Sequence, residues 1–388
     1  MTLVGASYGN HWRNLRRLSS LEIFSTIRLN KFAHIRRNEN QLLIKSLLTE
    51  RFARVELKSK FFGLSFNVIM RMNCGRRYYG EAADTEEAKT FREIMKETVR
   101  LAEASNPADF LPILRWFDYG NLEKRMKKLG VKNEAFLQGL IDEHKNGKSE
   151  TKDTMVDHLL NLQKSEPAEY YTDMIIKGLI LVLLTAGSDT TALTIEWAMT
   201  LLLNHPETLK NVGVEIDAQV GQDRLVDKSD LSKLPYLQNV ILETLRLCPV
   251  VPLLLPHYSS KECQVSGFDI LSGTMVLVNA WTIHRDPDLW EDPMSFRPER
   301  FENCEADTYN YKLTPFGAGR RSCPGLGLAQ RVVGLTLGTL IQCFEWKRIG
   351  EEKIDMTEGS GLTMPKVEPL EAMCRARPVT KLVTAGAL

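Results

Sequence analysis

Apolar positions recur at helical spacing through most of the first two thirds of the chain. The pattern predicts helices over residues 11–20, 29–54, 85–104 and 122–144. Between the last two, "ADFLPILRWFDYGN" (108–121) is an apolar stretch broken by Pro112, and "KNGKSETKD" (145–153) is a polar breaker. Residues 169–203 form the longest helical candidate. Its middle is apolar all round, the pattern of a helix that runs through a core. Helices over 204–221, with Pro206 near the first turn, and over 234–249, closed by Pro249, complete this part.

After residue 250 the periodicity changes. Residues 265–270 and 274–279 read as strands joined by a glycine turn at 272–273. Overlapping the second, "MVLVNAW" (275–281) is apolar at nearly every position, which suits a strand covered on both faces. "RDPDLWEDPMSFRPERF" (285–301) is proline-rich and irregular, residues 324–344 are helical again, and the tail gives short strands. There are no repeats and no low-complexity linker. The fold class is therefore mainly α with a small β portion, arranged as one large domain.

Composition narrows the function. The 388 residues carry 50 basic against 49 acidic side chains, which excludes a bulk nucleic-acid binder. Seven cysteines, at 74, 248, 263, 304, 323, 343 and 374, form no CxxC and no zinc-type spacing, and their odd number argues against a disulfide framework. The first residues are amphipathic rather than a signal peptide. The longest apolar run, residues 179–186, is shorter than a bilayer and reads as core helix, so the chain on its own evidence is soluble or peripheral.

The most constrained stretch is "FGAGRRSCPG" (316–325). Pro324 is suited to the first position of the helix that follows, which puts the Cys323 sulfur at a helix N-terminus, where an anion is favoured. Gly317, Gly319 and Gly325 let the backbone turn tightly and approach a flat ligand. Phe316 supplies an aromatic face and Arg321 a cation. A thiolate, a close-approach loop and a cation make a cradle for a metal macrocycle with acid side arms, a description that haem fits. A lone buried cysteine is more often a small hydrophobe. The full spacing F-x-x-G-x-R-x-C-x-G resembles the haem-ligand loop of the cytochrome P450 family.

The resemblance extends over nearly the whole chain. "ETLR" (243–246) is similar to the family's Glu-x-x-Arg, with Glu243 and Arg246 one turn apart. "FRPERF" (296–301) matches the segment that completes a triad, with Arg300 as third member. "AGSDTT" (186–191) resembles the oxygen-activation motif: Ala186 and Gly187 would leave room above the iron, and Asp189 and Thr190 would carry protons. Read alone, Thr190 could equally back-bond to the preceding turn. "WRNLR" (12–16) resembles the helix that holds the haem propionates, so Trp12, Arg16 and Arg321 would meet them. His257 stands where many relatives have Arg; its charge there depends on pH. His284 reads as a packed structural histidine.

By resemblance, residues 1–388 are a single haem-thiolate monooxygenase domain containing haem b (heme), its iron ligated by Cys323, and its helix-rich fold lacks the family's N-terminal helices and strands. Glycines 319 and 325 and Phe316 would line the cofactor. The implied reaction puts one oxygen atom of dioxygen into a small apolar substrate, with electrons from NADPH through a separate, acidic cytochrome P450 reductase. The wording is most similar to the plant microsomal branch and its isoflavone-hydroxylase-like group, suggesting isoflavonoid or phenylpropanoid substrates. Val250 to Leu254 and Leu362 to Met364 would line the pocket, or simply pack in the core. The family site is the cytosolic face of the endoplasmic reticulum membrane. Relatives carry an anchor and further elements ahead of the equivalent of Met1, so the resemblance implies an N-terminally incomplete domain of low solubility. "FLPIL" (110–114) is either a second membrane contact or core packing. The alternatives to a monooxygenase are a haem-thiolate isomerase or dehydratase and a non-catalytic truncated gene product.

Overall fold

The computed structural model describes residues 2–48, 54–80, 85–102, 104, 106–109, 111–117, 119–149, 151–165, 170–303 and 311–384. Thirteen helices are described. In chain order the elements are α1 (Asn10–Leu18), α2 (Thr26–Lys31), α3 (Ala33–Leu48), β1 (Arg54–Glu56), α4 (Lys58–Cys74), α5 (Glu86–Ala102), α6 (Leu122–Lys145), α7 (Met155–Ser165), α8 (Asp173–Asn204), α9 (Pro206–Gln219) and α10 (Pro235–Leu247). Then come β2 (His257–Tyr258), β3 (Cys263–Val265), β4 (Phe268–Ile270), β5 (Met275–Val276), α11 (Ala280–Ile283), α12 (Leu326–Cys343), β6 (Phe344–Lys347), β7 (Glu371–Ala376) and α13 (Lys381–Thr384). The mainly helical fold class holds.

The chain forms two compact units. One comprises Met1–Glu50, Leu57–Ala192 and Gly327–Val332; the other comprises Arg51–Glu56, Leu193–Leu326 and Val333–Leu388. In the first, α1 buries Trp12 and Leu15 with Leu3 and Ala6, against Ile175 at the start of α8. Helix α4 is buried on every side, with Phe61, Phe66 and Met70 at most 1% exposed. It ends at Gly75, whose left-handed φ of 78° suits a residue without a Cβ. Its buried positions include the polar Ser65, Asn67 and Asn73, so apolar and polar residues do not separate onto two faces and residues 58–74 gave no helical signal.

In the second unit, β1, β7 and β6 form an antiparallel sheet in that order, with Val55 opposite Ala372 and Trp346 opposite Cys374. Here the sequence expectation of a helix through Arg54 is corrected. The helical segment breaks at Phe32 and resumes as α3, and Arg54 lies in a strand paired with β7 and ion-paired to Glu371. That partner is 317 residues away, beyond the reach of any local pattern.

The strand expectation after residue 250 is corrected too. Ser266 (φ 49°) and Gly267 (φ 86°) are both left-handed, which turns the chain between β3 and β4 with Val265 opposite Phe268. The hairpin therefore closes inside the stretch expected to be one strand. Gly273 (φ 83°) makes a separate turn, where Ser259 Oγ accepts the Thr274 N–H at 2.8 Å, and β5 pairs with β2 instead. Nor is 275–281 a covered strand. Met275 and Leu277 are about half exposed, and Asn279 Oδ1 accepts the Thr282 N–H at 3.0 Å, capping α11.

Helices α8 and α12 are each long and apolar enough to cross a membrane by length and composition alone, and the run 179–186 lies within α8. Of their most apolar windows, 56% and 72% is buried in the protein. In the connection from α5 to α6, Leu111, Ile113 and Trp116 are 58, 65 and 86% exposed, so core packing does not describe them. Phe110 of that stretch, Glu169 and Cys304 lie outside the described residues.

Candidate functional site

The cysteine loop belongs to the second unit. Cys323 N–H donates to the Phe316 carbonyl at 2.8 Å, Gly317 N–H to Thr314 at 3.0 Å and Ser322 N–H to Gly319 at 3.2 Å. These bonds fold residues 314–323 into a closed loop with a 3-10 turn at Gly319–Arg321. Gly317 (φ 69°) and Gly319 (φ 66°) take the left-handed backbone that other residues resist. Gly325 does not need that freedom; its φ is −82°. Pro324 is not the first residue of the helix, as the sequence suggested. Pro324 and Gly325 make a turn, and α12 begins at Leu326. The thiol thus sits on the approach to the helix rather than on its first turn.

Exposure separates the cysteines. Cys74, Cys248, Cys343 and Cys374 are buried, while Cys263 and Cys323 are exposed. Burial pushes the Cys74, Cys248 and Cys343 thiols up to about 12, so they stay neutral and make poor metal ligands. Cys263 lies on the β3–β4 hairpin. Among the described cysteines, Cys323 combines exposure with a place inside a loop that turns at two left-handed glycines, whereas Cys263 is on a strand of its hairpin. Among the described residues, no three His, Cys, Asp or Glu side chains come together as a metal site. A single exposed thiol fits a metal that brings its own equatorial ligands, as haem iron does. Phe316 is half-buried beside it, and Arg321 is exposed on the same loop.

The remaining predicted residues of this unit are on other elements. His257 is exposed on β2, opposite Val276. His284 is fully buried, and its Nε2 accepts the Thr314 N–H at 2.8 Å, holding the start of the cysteine loop. Burial and the nearby Arg246 lower its pKa to about 4, so it is neutral and structural. Glu243 and Arg246 are wholly buried, and Arg300 Nε joins Glu243 Oε1 at 3.1 Å, which completes the expected triad.

In the first unit, α1 carries Trp12 and Arg16. Trp12 is 5% exposed, its ring 5.4 Å from that of Tyr8, while Arg16 is half-buried. Arg13 and Arg17 face solvent. Asp189 and Thr190 are half-buried on α8. Thr190 Oγ1 donates to the Ala186 carbonyl at 2.7 Å, and Ala186 is exposed. Gly187 also has a packing use. A Cβ there would come within 3.2 Å of Ile69 Cδ1, so the glycine lets α4 pack close.

Sequence reasoning singled out Leu254 and Met364 as pocket candidates but missed how each is held. Leu254 has a left-handed φ of 51°, and its Cδ1 lies 3.9 Å from where a Gly317 Cβ would stand. The buried Trp197 indole donates to the Met364 carbonyl at 2.9 Å. Neither left a signal in the sequence, because a leucine and a tryptophan on apolar stretches read as ordinary core.

The family model described as "Cytochrome P450" matches residues 2–370. Cytochrome P450 81Q32 of Catharanthus roseus is 58% identical over 387 residues, 99% of this chain and 77% of that protein. Isoflavone 3'-hydroxylase of Medicago truncatula is 54% identical over 393 residues, 99% of this chain and 78% of its own length. A zebra fish cytochrome P450 solved with progesterone superposes with a TM-score of 0.83 at 28% identity, covering 97% of this chain and 84% of that one.

Proposed function

We propose, from the fact that this chain belongs to the cytochrome P450 family, that Cys323 is the axial ligand of its haem iron and that the substrate is a phenolic plant metabolite of the isoflavonoid or phenylpropanoid class. The chain is a haem-thiolate monooxygenase of the plant type, acting on a small substrate with dioxygen and a redox partner.

The observation that carries the ligand assignment is the Cys323 loop: an exposed thiol fixed by its own N–H on the Phe316 carbonyl, between glycines that keep side chains out of the way. Haem bound there supplies the activation of dioxygen, with the thiolate pushing electron density onto the iron. Phe316, Gly319 and Gly325 would border it. Trp12, Arg16, Arg321 and His257 would meet its carboxylates. The hydroxyl of Thr190, held to the Ala186 carbonyl, keeps a proton carrier at a fixed atom on α8, with the Asp189 carboxylate next to it in the chain.

The substrate class rests on likeness to the Medicago isoflavone 3'-hydroxylase at 54% identity. Electrons come from NADPH by way of cytochrome P450 reductase, and the exposed Arg13 and Arg17 on α1 offer a basic stripe for an acidic partner. The cytosolic face of the endoplasmic reticulum is the site we assign. The exposed Leu111, Ile113 and Trp116 support a membrane contact, since clustered exposed apolar groups mark interfaces. Residues 1–388 then belong to one haem-thiolate monooxygenase domain, of which relatives carry more.

The test is the absorption spectrum of the reduced, carbon monoxide-treated protein. A thiolate-type band is expected. A band of the kind given by a histidine-ligated haem overturns the Cys323 assignment. A screen of isoflavones and lignans for hydroxylated product then tests the substrate class.

A further inference from the structure

In the second unit, residues 357–367 form a narrow hairpin. Val367 N–H donates to the Thr357 carbonyl at 3.1 Å and Gly359 N–H to the Pro365 carbonyl at 2.7 Å, with Glu358 bridged to Lys366. Its base is fastened firmly. The Glu358 carboxylate accepts from the Trp281 indole at 3.0 Å and from Arg285 at 2.9 Å. The Lys366 ammonium donates to the Asp355 carbonyl and stands 5.1 Å from the Trp197 ring centre. The tip is different: Leu362 is 37% exposed and Gly361 has a φ of 152°. An apolar side chain held out on a rigid neck is placed for contact with something outside the core.

What the tip reaches is set by two hydrogen bonds on one residue. Met364 N–H donates to the Val250 carbonyl at 2.8 Å, and the Met364 carbonyl accepts from the Trp197 indole at 2.9 Å. Val250 opens the loop that carries Leu253, Leu254 and Leu255, of which Leu253 and Leu255 are about two fifths exposed. Leu254 in turn lies beside Gly317 of the cysteine loop. A connected path therefore runs from the Cys323 loop through Leu254 and Val250 to Met364 and ends on Trp197, which is fully buried on α8. The 250–255 loop is apolar, partly exposed and strained in backbone at Leu254, the hairpin presents Leu362 at its tip, and Trp197 is the fixed point both hang from.

We propose that Trp197 is a positioning residue for substrate selection: its indole N–H holds the Met364 carbonyl so that Leu362 and the 250–255 loop stand at a set separation from the Cys323 loop and limit the bulk of the apolar ligand accepted. This rests on the haem-thiolate reading above. Trp197 touches neither ligand nor cofactor. It acts through Met364, on the tip of one loop and the root of the other.

The test uses the haem-loaded full chain and two iron-ligating probes, read by the shift of the haem absorption band. Imidazole is small and reports only the iron. Phenylimidazole carries an apolar ring that must fit between the loops. Trp197→Phe keeps an aromatic ring and removes the donor. It should leave the imidazole dissociation constant unchanged and shift that of phenylimidazole by about tenfold, the size expected for losing one such constraint. Leu362→Ala should shift phenylimidazole in the parent and much less in the Trp197→Phe background, because both act through one loop position. Gly359→Ala is the second route, since its Cβ would press on Pro365 at 3.1 Å and displace the tip while the Trp197 indole donor itself is kept. It too should change phenylimidazole binding alone. Unaltered phenylimidazole affinity in Trp197→Phe, or in Gly359→Ala should the former lose its haem, overturns the proposal, as does strict additivity with Leu362→Ala. If imidazole produces no shift in the parent chain, the haem-thiolate reading itself falls, and the role of Trp197 falls with it.

Discussion

Arg246 donates two hydrogen bonds to Glu243, Nε to Oε2 at 2.7 Å and Nη2 to Oε1 at 2.8 Å, from one turn along α10 with both side chains fully buried. The pair is tied into the irregular segment that precedes the cysteine loop. Arg246 also donates to the carbonyls of His284, Pro293 and Ser295, and Glu243 accepts from the Arg297 N–H and from Arg300. Each charge of this triad has a partner, which is the condition under which such a buried group is tolerated. Glu243→Ala leaves Arg246 and Arg300 without their anion. It should cost about 3–5 kcal/mol in denaturant unfolding and release haem from the protein. Unfolding unchanged within about 1 kcal/mol would contradict a structural role for this triad.

Cys323→Ala should abolish the thiolate-type carbon monoxide band. Replacing Cys263, the other exposed thiol among the described residues, should leave the band intact. The two variants together separate ligation from exposure. A thiolate band that survives Cys323→Ala means another cysteine holds the iron.

Thr190→Ala removes a half-buried hydroxyl that donates to the Ala186 carbonyl of its own helix, and fold and haem content should be kept. Loss of a positioned proton carrier typically costs about a hundredfold or more. Product formed per NADPH should fall, with hydrogen peroxide accounting for the difference. Thr190→Ser should restore part of the coupling. Unchanged coupling in Thr190→Ala would leave the hydroxyl with its helix bond and no chemical task.

Arg13→Glu with Arg17→Glu reverses an exposed stripe on α1 while Trp12 and Leu15 stay buried. Reduction by an acidic reductase should slow at low ionic strength, and its salt dependence should weaken, because rim charges act mainly on the association rate. Haem content should not change. Equal reduction rates for parent and variant at low salt would exclude this face as the docking surface.

His284 gives the fold a pH dependence whose sign follows from its burial. The unfolded histidine takes up a proton near its ordinary 6.5, whereas the native one does so only at about 4. Between those values acid favours the unfolded chain, so stability falls as the pH drops from about 6.5 towards 4 and levels off below. The loss from this one group reaches roughly 3 kcal/mol at most. His284→Gln, which keeps an acceptor for the Thr314 N–H, should flatten that part of the profile in urea titrations. An identical slope in the variant would assign the acid sensitivity to other groups.

The sequence by itself determined whatever rests on short spacing. F-x-x-G-x-R-x-C-x-G placed the loop, because a thiol, glycines and a cation within ten residues have few other uses. Glu243 and Arg246 were legible as a pair, since three residues on a helix is one turn. Most helices were legible where one face is apolar and the other wet. Tertiary structure decided what depends on distant partners. Helix α4 is buried all round and shows no period, and Arg54 is a strand residue only because β7 lies beside it. Helix α12 waits until Leu326 because Pro324 and Gly325 are used in a turn, and Gly187 serves Ile69, 118 residues earlier. Which cysteine is exposed, which apolar residues of 111–116 meet solvent, and that Trp197 holds Met364 are also facts of packing. Local spacing fixes which groups a turn of chain can bring together. Burial and long-range hydrogen bonds exist only once segments far apart in the chain have met, and no pattern along the chain records them.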